Sequence, residues 1–303
     1  MNELFEVKLP PEIARLQAKA QRLSTYLDES VTGEGAGQMV WHCWTPSAGV
    51  ARKSLPLVML HGGSGSWTHW LRAIEPLTQA GYTLYLPDLP GFGDSDAVPD
   101  GSDVDTMLGP LASGITQLLG AAQTGPVCDL VGFSFGGMAS GLLAAQSPQL
   151  MRRLVIVGAP AMGVIEGKAV RLKGWRHFST QQAQNEAHRY NLAALMLHDA
   201  SLIDEETLAL HVLNVQRDRL PRRRLAQTDI LAQALAKVQC PVAAIYGEHD
   251  PLYLGRMQEL QQVLQRQTAG KVHWQMVNEA GHWVQHEKPQ QLVQALLAAL
   301  TEG

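Results

Sequence analysis

Ser134 sits in the pentapeptide Gly132-Phe133-Ser134-Phe135-Gly136, between an apolar run at 127–131 and a stretch of helical periodicity. A serine hydroxyl is a weak nucleophile until an imidazole takes its proton, and the imidazole needs a carboxylate to fix its tautomer and stabilise its charged form. Candidates for both lie downstream. Asp250 lies in Tyr246-Gly247-Glu248-His249-Asp250-Pro251 and His282 in Asn278-Glu279-Ala280-Gly281-His282-Trp283, each directly after an apolar run. With Ser134 as nucleophile, His282 as base and Asp250 as orienting acid, the chain order is Ser, Asp, His, as expected where the serine occupies a sharp strand-to-helix turn. Glu248 and His249 share the acid loop, but Pro251 gives Asp250 an ordered turn into the next helix. Segment 155–163 holds no aspartate or glutamate, so that strand end is not expected to supply the acid.

A turn of this kind needs small flanking residues, and Gly132, Gly136 and Gly137 provide them. A glycine-rich turn that merely contains a serine would have the same local pattern; the partners in order at successive strand ends separate the two. Acyl transfer also builds negative charge on a carbonyl oxygen, which preorganised backbone N–H groups can meet. Phe135, the residue after the nucleophile, is one expected donor. Gly63, in the loop His61-Gly62-Gly63-Ser64-Gly65-Ser66, is the other. That loop carries neither a GxGxxG nor a GxxxxGK[ST] pattern, so a phosphate cradle is not indicated. His61, at a strand end before glycines, reads as a structural hydrogen-bonding residue.

The elements that must hold these groups are legible as periodicity. Short apolar runs at 57–60, 84–86, 127–131, 154–157, 242–246 and 272–277 read as strands, several of them buried on both faces, and helical patterns separate them. Such alternation predicts a mostly parallel sheet with helices on both faces. A strand at 39–44 precedes it. Residues 13–27 show apolar positions at three and four and predict a helix opened by Pro10 and Pro11. Between 161 and 235 the alternation stops and the chain is polar and helical. The expected organisation is a core from 1–160 and 236–303 with a helical cap at 161–235, seated over the carboxyl ends of the strands where such sheets bind ligands.

Composition narrows the function classes. The 303 residues are 46% hydrophobic and 17% charged, with a net charge of −4, so no basic field points to nucleic acid. The three cysteines, Cys43, Cys128 and Cys240, form no CxxC pair; neither a metal nor a redox site is indicated. There is no secretory leader pattern and no run of membrane-spanning length, which predicts a cytoplasmic protein with no membrane partner.

Together, HGGSGSW, DLPGFGDSD, GFSFGG, YGEHDP and AGHWVQHEKP resemble the α/β-hydrolase superfamily from about residue 55 onward. The resemblance is to its serine-nucleophile, carboxylesterase-like branch. It implies an eight-stranded, mostly parallel sheet, a cap after the sixth strand, and no cofactor. Ser134 stands where the dehalogenase and epoxide hydrolase members carry aspartate. Gly281-His282-Trp283-Val284-Gln285 and the cap segment 191–203 are also similar to the hydrolases of ring meta-cleavage products, which break a carbon–carbon bond. Those carry asparagine before the nucleophile and a cap arginine, where this chain has Phe133 and His211.

The expected function is therefore hydrolysis of a small carboxylic ester or related acyl compound through an acyl-enzyme. Carbon–carbon hydrolysis of a dienoic ring-cleavage product, or ligand binding without turnover, are the alternatives. Phe133, Trp283, His211 and Ser64 are the expected pocket residues. His211 shares a helical face with Leu208, Val212 and Val215; a buried histidine bonded to a carbonyl would have the same pattern. Trp67 is a further pocket candidate and Trp70 a core residue. His286 reads as a surface residue at a helix start. Arg217, Arg219, Arg222, Arg223 and Arg224 read as a solvated face, or else as an attractor of an acidic substrate. A monomer or a homodimer is expected, with a small molecule as the only partner.

Overall fold

Leu57, Val58, Met59 and Leu60 are all buried because alternate side chains leave opposite faces of a sheet that is covered on both sides. Leu57 and Met59 join one apolar cluster, Val58 and Leu60 the other. The same alternation sorts Leu130 from Val131, Ile156 from Val157 and Ala244 from Ile245. The computed structural model describes residues 10–28, 37–120, 125–164, 170–220 and 223–301.

The strands are β1 (Gln21–Tyr26), β2 (Gln38–Trp44), β3 (Leu57–Leu60), β4 (Leu84–Pro87), β5 (Cys128–Phe133), β6 (Met151–Val157), β7 (Val242–Gly247) and β8 (Val272–Val277). They form one sheet in the order β1-β2-β4-β3-β5-β6-β7-β8. β1 and β2 run antiparallel to their neighbours, and all pairings from β4 to β8 are parallel. The helices are α1 (Pro11–Lys19), α2 (Leu71–Gln79), α3 (Leu108–Leu119), α4 (Phe135–Gln146), α5 (Gln181–Asn191), α6 (Glu205–Gln216), α7 (Ile230–Leu235), α8 (Met257–Gln267), α9 (Val284–Glu287) and α10 (Pro289–Thr301). Helices α3, α4, α7 and α8 contribute to one cluster, and α1, α2 and α10 to the other. No helix among the described residues is long and apolar enough to cross a membrane.

One expectation fails at the N-terminal edge. The helix predicted to run to Leu27 ends at Lys19, and residues 21–26 form β1 instead. Leu23 and Leu27 do fit a helical period, but pairing with β2, from Gln21 opposite Cys43 to Tyr26 opposite Gln38, supplies the backbone partners. Trp41 Nε1 also donates to Thr25 Oγ1 at 2.9 Å. Tertiary pairing overrides a weak local preference here.

The turn from β5 to α4 is tight. Ser134 has φ 51° and ψ −117°, a left-handed conformation that a residue with a side chain seldom adopts. Its N–H donates to Val157 O and its carbonyl accepts from Met138 N–H, so both neighbouring elements hold it there. A Cβ on Gly132 would lie 2.2 Å from Gly136 O, and one on Gly136 2.4 Å from His61 O. Only glycine lets α4 start this close to β3 and β5.

Between β6 and β7, α5 packs on α6, and a π-helical turn, Leu192–Met196, follows α5. Of the stretch 161–235, α7 packs instead on α4 and α8, with Leu231 and Leu235 against Gly141. Two polar anchors join the inserted segment to the sheet. Asn214 on α6 bonds Ser66 and Thr68, and the Glu287 carboxylate accepts from the N–H groups of His198, Asp199 and Gly281. The arginine run is a third anchor, although Arg219 and Arg224 remain exposed as a solvated face would be. Arg217 pairs with Asp94, Arg219 donates to the carbonyls of Gly93 and Ser95, and the Arg224 N–H donates to Asp103. Arg222 lies outside the described residues.

Because the space at Gly132 is closed by backbone, Gly132→Ala is expected to destabilise the fold by about 1–3 kcal/mol or more. A urea-unfolding midpoint indistinguishable from wild type would contradict the packing described here.

Candidate active site

Ser134, Asp250 and His282 come from three separate loops at the carboxyl ends of β5, β7 and β8. The structure brings them into one hydrogen-bonded line. Ser134 Oγ lies 2.8 Å from His282 Nε2, and His282 Nδ1 lies 2.8 Å from Asp250 Oδ2. His282 and Asp250 are buried, at 2% and 0% exposure, so water does not compete for the bond between them. The other carboxylate oxygen of Asp250 accepts from Leu252 N–H at 3.0 Å. With a carboxylate on Nδ1, that nitrogen carries the proton and Nε2 is left to accept from the serine. Gly158, at φ 56°, passes beside the pair; a Cβ there would lie 3.3 Å from the imidazole. Glu248 and His249, the other candidates in the acid loop, point elsewhere, toward Glu279.

The loop after β3 faces the same serine. Gly63 and Phe135 line the cavity together with Ser134, and among the described residues neither amide N–H has a hydrogen-bond acceptor. Both are thus available to an oxygen at the serine. His61 holds the loop as a structural residue: Nδ1–H donates to Gly62 O at 2.7 Å and Nε2 accepts from Leu89 N–H at 2.8 Å. Burial lowers its pKa and keeps it neutral in that role. His69, which nothing in its sequence context singled out, is a second brace. Its Nδ1 accepts from Gly62 N–H at 3.2 Å, and burial holds its pKa well below the ordinary value.

Ser134 opens on a cavity of about 540 Å³ whose wall includes Phe133, Leu195, Met196, Leu252 and Arg223. A second cavity of about 580 Å³ shares Gly63, Ser64, Leu195, Met196 and Arg223 with the first and extends under the cap. His211 lines this second space, and its ring meets His188 edge-on at 5.3 Å. Burial, with the neighbouring His188, pushes the pKa of His211 down to about 3, so it is a neutral imidazole at any ordinary pH. Four cationic side chains, Lys173, Arg176, Arg219 and Arg223, line the space against one carboxylate, Asp218.

Ser64 takes part through Arg223. Ser64, itself at φ 49°, donates from Oγ to Asp218 Oδ2 at 2.5 Å, and Arg223 Nη1 donates to both oxygens of the same carboxylate at 2.8 and 2.9 Å. The guanidinium lies over the rings of Phe92 and Phe135, 5.2 and 5.6 Å from their centroids. Arg223 therefore faces the candidate site rather than bulk water, which the run of like charges in the sequence concealed.

Three aromatic expectations change. Trp283 is 1% exposed and lines neither cavity; its Nε1–H donates to His69 O at 3.2 Å and its ring stacks on His286. It braces the loop carrying His282 from behind. His286 is buried rather than at the surface, bonded through Nε2 to Thr207 Oγ1 at 3.1 Å, and its pKa is pushed down to about 3 by burial. Trp67 is also buried, against His42 and Trp44, away from both cavities. Trp70 is a core residue, as its spacing indicated.

Comparison with known proteins agrees with this architecture. The chain is 28% identical over 265 residues to a 2-hydroxy-6-oxononadienedioate/2-hydroxy-6-oxononatrienedioate hydrolase of Cupriavidus pinatubonensis, covering 81% of this chain and 85% of that one. It is 24% identical over 246 residues to a 2-hydroxy-6-oxo-6-phenylhexa-2,4-dienoate hydrolase of Comamonas testosteroni, covering 77% and 82%. Among solved structures, a carboxylesterase from Bacillus subtilis superposes with a TM-score of 0.70 at 17% identity, covering 96% of this chain and 95% of that one. A meta-cleavage product hydrolase from Pseudomonas fluorescens superposes with a TM-score of 0.67 at 19% identity, covering 87% and 94%. At such identities the superpositions speak to the fold alone. The profile of the alpha/beta hydrolase family matches residues 57–295, and the chain belongs to that family.

Proposed function

We propose that this protein is a serine hydrolase that cleaves a small carboxylic ester, or a related acyl compound, through an acyl-enzyme. The observation that carries the reading is the line Ser134–His282–Asp250, two 2.8 Å contacts ending at a cavity wall. His282 Nε2 takes the Ser134 proton as Oγ attacks the substrate carbonyl carbon. The N–H groups of Gly63 and Phe135 receive the oxyanion. The leaving alkoxide departs with the proton from His282, leaving the acyl group on Oγ. Water then gives a proton to His282 and attacks the ester carbon, and collapse returns the proton to Ser134 and frees the acid. Asp250 fixes the imidazole tautomer and stabilises the imidazolium in both halves.

The excess of cationic side chains in the second cavity favours a substrate with an anionic group remote from the reacting carbonyl. His211, neutral beside them, would meet a substrate oxygen as a hydrogen-bonding partner rather than as a charge.

A second reading is carbon–carbon hydrolysis of a dienoic ring-cleavage product, favoured by the names of the relatives quoted above. Against it stands Phe133, fully buried against His69, Trp70 and His282, which offers no polar atom beside the nucleophile.

Short-chain p-nitrophenyl esters assayed with wild type and Ser134→Ala test the first reading. The substitution is expected to lower kcat by about 10⁴- to 10⁶-fold; activity that survives would assign the chemistry to another group. For an ester with a distal carboxylate, kcat/KM should fall several-fold as ionic strength rises from about 0.05 to 0.5 M, because salt screens the cationic wall. A neutral ester should show little change; equal behaviour of the two would remove the anionic-substrate argument. Turnover of a 2-hydroxy-6-oxo-dienoate at about 100-fold the ester rate or more would transfer the assignment to the second reading, and slower turnover would retain the first.

A further inference from the structure

Outside the site described above, three loops bring two imidazoles and a carboxylate together at the surface. His198 lies on the inserted segment, two residues after the cavity residue Met196. His249 precedes Asp250, and Glu279 lies three residues before His282. The two rings stack with centroids 3.8 Å apart and planes 15° apart. Their Nε2 atoms converge on one carboxylate, His198 at 3.9 Å from Glu279 Oε2 and His249 at 4.0 Å from Oε1. One donor atom from each of the three residues falls within 4.8 Å of the others. Glu248 closes the group: its Oε2 accepts from Glu279 N–H at 3.1 Å and lies 3.8 Å from His249 Nε2.

We propose that His198, His249 and Glu279 form a binding site for a zinc-like divalent transition metal ion that joins the inserted cap segment to the loops carrying Asp250 and His282. Two imidazole nitrogens and one carboxylate are a donor set that suits Zn²⁺ and similar borderline ions better than Mg²⁺ or Ca²⁺, which favour oxygen. Zinc ligands bind at about 2.0–2.2 Å, so tetrahedral donors stand about 3.3–3.5 Å apart. The present separations need a closure of up to about 1.5 Å, which partly exposed side chains on loops can supply by rotation. Water completes the coordination on the open side. The ion displaces no residue of the Ser134 line and sits on the outer surface of the loops that position it.

The placement gives the site a mechanical consequence. The backbone here is already stitched across: Glu287 accepts from His198 N–H and Gly281 N–H, and Trp283 N–H donates to Met196 O at 2.7 Å. A bound ion adds a side-chain link along the same seam and stiffens the wall formed by Leu195 and Met196 together with the base loop.

Zn²⁺ titrated into chelator-treated, dialysed protein by isothermal calorimetry tests the site, with thermal melting in parallel. The expected result is one Zn²⁺ per chain with a Kd of about 10 µM or tighter, and a Tm raised by about 4–8 °C at saturating zinc. His198→Ala and Glu279→Gln should each weaken binding at least about 10-fold and abolish the Tm shift while leaving the metal-free Tm unchanged, whereas His177→Ala, at an exposed histidine elsewhere, should bind as wild type does. Mg²⁺ should give no shift. Binding weaker than about 1 mM, or binding that survives both His198→Ala and Glu279→Gln, would overturn the proposal.

Discussion

The close approach of β5 and α4 to β3 is the constraint on which the remainder of the molecule turns. Ser134 is held in left-handed backbone, a conformation that costs about 1–3 kcal/mol for a residue with a side chain, and the neighbouring elements sustain it. Its N–H is committed to β6 through Val157 and its carbonyl to the first turn of α4. Gly132 and Gly136 remove the atoms that would keep the elements apart. The outcome is a hydroxyl lifted clear of the sheet and an uncommitted amide at Phe135 beside it. Any relaxation of the turn would move both at once, so the Ser134 hydroxyl and the Phe135 amide are coupled by the same backbone strain.

A second layer of order comes from buried histidines held neutral. His61 and His69 brace the glycine-rich loop through Leu89 N–H and Gly62 N–H, His286 supports Trp283 and Thr207, and His211 lines the inner cavity. In each, desolvation disfavours the cation, so the ring serves as a donor or acceptor rather than a charge. His282 differs in having a carboxylate on one side and a hydroxyl on the other. Residue type alone does not separate these histidines; the partner at Nδ1 does.

The inserted segment is joined to the sheet by polar anchors and by apolar packing. Asn214, Glu287 and the arginines each satisfy backbone or side-chain groups across the seam, while Leu208, Leu210 and Val212 of α6 enter one of the two core clusters. Arg223 is the member of this set that reaches the cavity at Ser134. Its charge is shared with Asp218, its plane rests on Phe135, and it contacts Ser64, so one side chain links the cap to the loop that offers the Gly63 amide.

The sequence by itself determined the inner strands, their mostly parallel sense, the turn at Ser134 and the identity of three residues that meet there. It could do so because those features are local: short continuous apolar runs mark strands covered on both faces, and a serine between glycines at a strand end needs no distant contact to be recognised. It failed where the deciding partner is remote. Residues 21–26 are a strand because β2 lies alongside, Trp283 and His286 are buried because the cap and α2 cover them, and Arg217 and Arg223 are held by Asp94 across the seam and by Asp218 beside the cavity. The approach of His198, His249 and Glu279, far apart in the chain, was likewise decided by the tertiary structure alone. Side chains on different loops converge only once the sheet has fixed where each loop begins.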